Sequence, residues 1–370
     1  MTAVDPLLAA WGETARQRVN DAAIYDRQRR VVLRFGELEK LSRCYENESG
    51  LEDFRAGEII ALQIGNHAHW PALFLACLRR RLVVLPLERT MSDAERASAL
   101  QICRAAGLMI AADTPIERLP ATPVDWTEHA PVLLKLTSGT TAAPRAIRFR
   151  SGQLLADARQ ICLTMGITSD DLNFGVIPLS HSYGFSNLVT PLLGCAVPLV
   201  VSDDRLPRAV LDDLARTEAT VFPGMPLFFQ AFAGMKEPPP LPRLQLCISA
   251  GAPLTRNVAS AFREKFGLAI HSFYGASECG GICYDRRAEP DDAEGFVGPA
   301  MEGVVLEALA PNDNATQFCV RSAAVGDGYF PEPEPEKLGG GTFRPDDLVT
   351  IGERGVRIVG RLSDVINVAG

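Results

Sequence analysis

The stretch richest in chemical groups is Leu136–Arg145, LTSGTTAAPR. Thr137–Thr140 are consecutive small or hydroxylated residues, so the backbone can curl closely around an anion. Their N–H groups and hydroxyls can donate to phosphate oxygens, and Arg145 can add a charge-assisted fork. The stretch is not a Walker loop, because GxxxxGK followed by Ser or Thr is absent. By composition alone the same residues also read as an ordinary surface turn.

Two more candidates stand in apolar or glycine-rich surroundings. Glu278, in FYGASECGG, is a lone acid. Beside a phosphate loop it suits Mg²⁺, which takes one or two carboxylates together with phosphate oxygens and waters. Otherwise it is a solvated glutamate in a turn. His181, in IPLSHSYGF, is either a satisfied core histidine or part of a pocket wall.

Lysine chemistry has few candidates: Lys40, Lys135, Lys236, Lys265 and Lys337. Lys135 directly precedes the candidate phosphate loop and reads as a solvated strand-end lysine. The nine cysteines are scattered; Cys279 and Cys283 bracket CGGIC and no CxxC occurs, which predicts reduced thiols of a cytoplasmic protein.

The elements around these residues alternate. Helical spacing over Phe35–Tyr45, His69–Arg80, Gly152–Met165, Arg208–Thr217 and Arg256–Phe266 is interleaved with short apolar runs of strand length. Those runs are Ile59–Ile64, Leu82–Leu87, Val132–Leu136, Phe174–Ile177, Val197–Val201, Thr220–Phe222 and Gln245–Ser249. Strands separated by amphipathic helices argue for helix-covered, mostly parallel sheets. After about Phe296 the texture turns β-rich, with runs at Val304–Leu309, Thr316–Arg321, Leu348–Ile351 and Val356–Val359, as in a small barrel-like unit. Pro238–Pro240 reads as a loop, and Pro331–Gly341, PEPEPEKLGGG, as an exposed loop too polar to pack.

With 370 residues, 47% of them hydrophobic, the chain can bury one or two sizeable cores. A net charge of −8 argues against nucleic acid or an anionic membrane as partner. The N-terminus shows no secretory pattern, and no apolar run approaches the roughly 18 residues of a membrane span.

Taken together these segments resemble the adenylate-forming superfamily that includes acyl-CoA synthetases. Leu136–Arg145 resembles its phosphate loop, (S/T)SGTTGxPKG, with Ala142, Arg145 and Ala146 departing from the pattern. Arginine keeps the charge with a different reach. Alanine for a glycine of positive φ costs on the order of 1 kcal/mol or forces another turn. Residues from Gly36 to Leu87 resemble the family's opening region, Ile177–Phe185 its HxxG-type segment, and Ser249–Leu254 its GAAPL turn. Phe273–Gly281 is similar to YGxTE, Phe343–Ile351 to the TGD segment with Pro345 and Asp346 substituted, and Gly360–Gly370 to the GRxxDxI hinge.

The resemblance implies the fold of the family's large N-terminal domain over residues 1–364: α/β, with two helix-covered, mostly parallel sheets to about 295 and a β-rich subdomain over about 296–360. It implies nucleotide contacts from Thr137, Ser138, Gly139, Thr140, Thr141, Gly251, Ala252, Pro253, Tyr274, Gly275, Asp347 and Arg361. Tyr274 would stack on adenine. Asp347 would accept both ribose hydroxyls, as acids do in other nucleotide sites. His181, Tyr183, Phe185, Gly224, Ala250, Gly251 and Gly275 would line the acyl pocket. Thr137, Arg145, Ser277 and Glu278 would serve catalysis, with Glu278 holding the metal.

The implied cofactors are ATP and Mg²⁺, with CoA as acceptor. The substrate would be a small carboxylic acid, and one without an α-ammonium group, since the Ile177–Phe185 segment offers no acid to pair with it. In the family a C-terminal domain brings a further lysine. Residues 365–370 would begin the hinge to such a domain, with Asp364 at the pivot. Three readings stay open: an N-terminal ligase domain, one half of a split ligase completed by a separate C-terminal chain or serving a carrier protein, and a degenerate nucleotide- and acyl-binding scaffold without chemistry.

Overall fold

The computed structural model describes residues 4–126, 130–137, 145–289, 292, 294–309 and 315–362. Two large sheets form the body. The first runs, edge to edge, Gly328–Phe330, Ala146–Phe149, Leu133–Leu136, Val83–Pro86, Ile59–Leu62, Gly107–Met109 and Glu117–Arg118. Its centre is parallel, with Ile60 beside Val84 and Gly107. The second runs Gly280–Tyr284, Ile270–Ala276, Leu246–Ser249, Val221–Gly224, Asn173–Gly175, Leu199–Val201, Ala22–Tyr25 and Val31–Arg34. It too is parallel except at its two edges. Central strands such as Ile59–Leu62 and Val83–Pro86 are buried throughout, as expected of strands covered on both faces.

The helices follow the predicted spacing. Trp70–Arg79 is buried from Trp70 to Leu78. Its Trp70 and Phe74 rings meet Phe185 edge-on at 5.6 and 5.3 Å, joining the two halves in one core. A fully buried phenylalanine of this kind contributes about 1.5–3 kcal/mol. Asn66 adds a polar tie: its Nδ2 donates to the carbonyls of Gly175, Ile177 and Ser202, and its Oδ1 accepts from Leu179 N. One side chain thus sets the first half against the strand ends of the second.

The β-rich runs form two small antiparallel sheets, one of Phe296–Gly298, Asp347–Gly352 and Gly355–Arg361, the other of Val304–Ala308, Phe318–Ser322, Leu338–Gly339 and Thr342–Phe343. Strand Gly328–Phe330 lies between them in sequence yet pairs with Ala146–Phe149 of the first large sheet. Two predictions need correction. Pro331–Gly341 is exposed over its first six residues and at Gly340, but not throughout. Leu338 is buried, and its strand pairs with Thr342–Phe343, because one apolar residue after the acidic run suffices to anchor a hairpin. Lys135 is not solvated: it is 4% exposed, on the buried face of its strand.

Candidate functional site

A cavity of about 770 Å³ opens at the carboxyl ends of Leu246–Ser249 and Ile270–Ala276, where open α/β sheets place their ligands. One side is built from the small sheets and the turn after Ser249. Gly251 adopts φ +84, and this left-handed residue lets the chain reverse directly from strand to loop. Asp347 begins the strand Asp347–Gly352, and Arg361 ends the strand paired with it. Both carboxylate oxygens of Asp347 are engaged: Tyr274 Oη donates to Oδ2 at 2.6 Å, and Arg361 Nε donates to Oδ1 at 2.8 Å. Burial first, and the Asp347 charge second, push the Tyr274 phenol well above its ordinary value, so it stays a donor.

A second side comes from Ile177–Val189. His181 caps the short helix Ser182–Gly184, its Nδ1 accepting from Tyr183 N at 3.1 Å. The ring is open to the cavity yet walled by protein, and this desolvation lowers its pKa. Tyr183 Oη reaches the carbonyls of Gly224 and Ile248 at 3.3 and 3.4 Å, and its ring lies 5.9 Å from Phe273. A π-helical turn follows at Phe185–Val189. Such turns break helical register and often occur at functional sites. Here it places Ser186 and Asn187 on the cavity wall and Phe185 in the core behind it.

The candidate phosphate loop leaves and returns through a strand pair. Thr137 N and Oγ1 both donate to the Arg145 carbonyl, at 2.9 and 3.2 Å, so the two feet are held together. Ser138, Gly139, Thr140 and Thr141 lie outside the described residues, as do Ala142 and Asp364. The Arg145 guanidinium sits 3.7 Å from the centre of the Tyr329 ring and pairs with Glu334. Tyr329 Oη donates to Glu278 Oε1 at 3.0 Å. Burial raises the Glu278 pKa, opposed by the Tyr329 hydrogen bond and the Lys337 and Arg145 charges. Glu278 is therefore one hard oxygen donor near the foot of the loop, a donor set that fits Mg²⁺ shared with phosphates.

The cavity thus brings together His181, Tyr183, Ala250, Gly251, Ala252, Pro253, Tyr274, Gly275, Ser277, Asp347 and Arg361. Glu278, Arg145 and Thr137 gather beside the loop feet, outside the cavity lining. Gly224 contributes its carbonyl to Tyr183 and packs against Phe222 and Phe229.

Matches with known proteins identify the family. A model of the family described as AMP-binding enzyme matches residues 113–330. The chain belongs to that family. This AMP-binding enzyme is acyl-CoA synthetase-like. It is 25% identical to a feruloyl-CoA synthase of Amycolatopsis sp. over 97% of this chain and 79% of the relative. It is 23% identical to the medium-chain fatty-acid–CoA ligase of Escherichia coli K12 over 96% of this chain and 72% of the relative. The crystal structure of the anthranilate CoA ligase AuaEII with anthranoyl-AMP superposes with a TM-score of 0.85, at 18% identity over 99% of this chain and 78% of that one. That likeness establishes the α/β fold with two mostly parallel sheets. Among the described residues no helix is long and apolar enough to cross a membrane.

Sequence reasoning missed the polar groups beneath this AMP-binding enzyme's cavity. Lys135 Nζ donates to Ser186 Oγ at 3.2 Å and lies 4.6 and 5.5 Å from the Phe149 and Phe185 rings. Asp157, on the helix Ser151–Met165, is equally buried and accepts from Gly281 N at 3.0 Å. A Cβ on Gly280 would stand 2.0 Å from Asp157 Oδ1, so only glycine admits this approach. Desolvation lowers the Lys135 pKa and raises that of Asp157, and each charge opposes the other's shift. The signal was a lone lysine inside the apolar run Val132–Leu136 and a lone aspartate among Leu154, Leu155 and Ala158.

Proposed function

We propose that this chain uses ATP to activate a carboxylic acid without an α-ammonium group, giving acyl-AMP and pyrophosphate, and that the acyl group then passes to a thiol, that of CoA. The observation that carries the reading is one cavity lined both by Asp347, held by Tyr274 and Arg361, and by the Tyr183–Asn187 wall. Its only lining carboxylates among the described residues are Glu294 and Asp347, both from the β-rich part of the chain. No acid on the Tyr183–Asn187 wall would pair with an ammonium group.

In the first step an oxygen of the substrate carboxylate bonds to the α-phosphorus as the bond to the bridging oxygen of pyrophosphate breaks. That electron pair leaves with pyrophosphate, and no protein base is required. Positioning and electrostatic stabilisation then carry the catalysis. Asp347 would accept the ribose hydroxyls, Arg361 would steady the ribose or phosphate, and the Gly251–Pro253 backbone would flank adenine beside the Tyr274 ring. Thr137, Ser138, Gly139, Thr140, Thr141 and Arg145 would hold the β- and γ-phosphates, with Ser277 near the α-phosphate. Glu278 would hold Mg²⁺, which supplies charge neutralisation on the triphosphate when bound. A thioester with CoA suits the relatives, which include a feruloyl-CoA synthase and a medium-chain fatty-acid–CoA ligase.

Acid-dependent pyrophosphate release from Mg·ATP, screened over aryl and alkyl acids, tests the reading. Release with one acid class supports it; nucleotide binding with no release under any acid contradicts it. The second reading is a chain that binds nucleotide and acid without turnover. The Arg145–Glu334 pair favours it, because it occupies the cation that the phosphates need.

A further inference from the structure

The turn that carries Ser277 and Glu278 joins the strands Ile270–Ala276 and Gly280–Tyr284. Cys279 N donates to the Ala276 carbonyl at 3.2 Å, so Ser277 and Glu278 are its two central residues. Gly280 follows at φ +68, the left-handed residue of a short hairpin loop. One anchor of the turn is the segment Gly326–Tyr329. Gly326 N donates to the Glu278 carbonyl at 2.8 Å, and Tyr329 Oη donates to its carboxylate at 3.0 Å. A second anchor is Asp157, on the helix Ser151–Met165, whose Oδ1 accepts from Gly281 N at 3.0 Å. A Cβ on Gly280 would lie 2.0, 2.4 and 2.7 Å from Oδ1, Cγ and Oδ2 of Asp157. The acid is thus seated directly against the backbone that closes the turn.

Asp157 is itself fixed from behind. Ser186 donates to it, and Ser186 in turn accepts from Lys135 Nζ at 3.2 Å. Asp157, Ser186 and Lys135 are only 3%, 4% and 4% exposed. Stability does not account for such a chain, because a buried ion pair can often be replaced by apolar residues of similar volume without loss. What an apolar residue cannot supply is an acceptor for Gly281 N. A carboxylate held in place supplies a strong and directional one.

We infer that Asp157 is a positioning residue of the metal site: through Gly281 N it sets the turn that presents Glu278 to Mg²⁺, and Ser186 and Lys135 keep it in place. Asp157 touches neither nucleotide nor acid. The inference rests on the adenylation reading, in which Glu278 holds the metal. It separates two kinds of binding. AMP, held by Tyr274, Asp347 and Arg361, does not depend on Asp157. The tightening of ATP binding by Mg²⁺ does.

The test compares two double variants, Lys135→Met with Asp157→Asn and Lys135→Met with Asp157→Ala. Both lack the buried charges, and they differ in the oxygen offered to Gly281 N. In the first, Ser186 is released from Lys135 and can accept from the new amide. Titration calorimetry with AMP, and with ATP in Mg²⁺ or in EDTA, gives the gain in ATP affinity due to the metal. Hydrogen exchange of the metal-free, nucleotide-free protein reads the peptide Ala276–Tyr284. The Asn double variant should match the parent in both. The Ala double variant should lose about fivefold or more of the metal's gain, as expected for one hydrogen bond, with AMP affinity unchanged. Its Ala276–Tyr284 peptide should exchange faster. Where the double variants fail to fold, Asp157→Asn against Asp157→Ser makes the same comparison, since serine is too short to reach Gly281 N. Asn and Ala variants that behave alike, or AMP and Mg·ATP affinities that fall together, would overturn the inference. A parent protein that binds no nucleotide, or gains nothing from Mg²⁺, would overturn the adenylation reading and this inference with it.

Discussion

Tyr274 donates its phenolic hydrogen to Asp347 across 2.6 Å, tying the strand Ile270–Ala276 of the second large sheet to the first residue of Asp347–Gly352 in a small one. Arg361 holds the other oxygen of the same carboxylate. The acid that the ribose would meet is thereby fixed from both sides before any nucleotide arrives.

Removing the Asp347 charge should therefore weaken nucleotide binding more than it weakens the fold. Asp347→Asn is expected to lower AMP affinity by roughly tenfold to a hundredfold, the range of about 1.5–3 kcal/mol for hydrogen bonds to a charged group. Tyr274→Phe should cost less, since Arg361 still holds the carboxylate. Calorimetric titration with AMP measures both, and unchanged affinity in Asp347→Asn would remove that residue from the nucleotide site.

Lys135 and Asp157 face each other's charge through Ser186 in a fully buried setting. Lys135→Met leaves Asp157 buried without its counter-charge, which typically costs about 3–5 kcal/mol. The double change Lys135→Met with Asp157→Asn should recover part of that loss. Urea unfolding of the three proteins reads this directly, and a single variant as stable as the parent would show that the two charges are independent.

Glu334 pairs with Arg145 on a partly exposed surface, where ion pairs contribute at most about 1 kcal/mol. Glu334→Gln should leave the unfolding midpoint almost unmoved. If Arg145 serves the phosphates, the same change should lower the KM for ATP severalfold, because an internal competitor is gone. A raised KM would place Glu334 on the side of the substrate instead.

Burial raises the Glu278 pKa above its ordinary 4.5. The folded protein therefore binds this proton more tightly than the unfolded chain does. The stability it lends is complete below 4.5 and is lost as pH rises through the raised value. Metal binding runs the opposite way, since it needs the carboxylate. The dependence of kcat/KM for Mg·ATP should show an acid limb above 4.5 that vanishes in Glu278→Gln, together with most of the activity. Equal loss of AMP binding in that variant would make Glu278 structural.

The sequence made legible what repeats or punctuates. Alternating runs such as Ile59–Ile64 and His69–Arg80 predicted a strand and a helix close to Ile59–Leu62 and Trp70–Arg79. Gly251 and Asp347 stood in segments whose turn and charge were visible as such. What stayed hidden depends on partners distant in sequence. Lys135 looked like a strand end because nothing in its neighbourhood announces Ser186 or Asp157. Phe185 looked like a pocket residue, but the π-helical turn gives the wall to Ser186 and Asn187 and turns Phe185 towards Trp70 and Phe74. Glu334 looked solvated, and only the fold brings it to Arg145.

The most direct test is acid-dependent exchange of labelled pyrophosphate into ATP, run with and without Mg²⁺ over aryl and alkyl acids. Adenylation by this chain predicts exchange that requires both the metal and an acid, and that falls to background in Asp347→Asn and Glu278→Gln. Tight binding of AMP and of acyl-adenylate analogues with no exchange under any acid would contradict it and leave a binding protein.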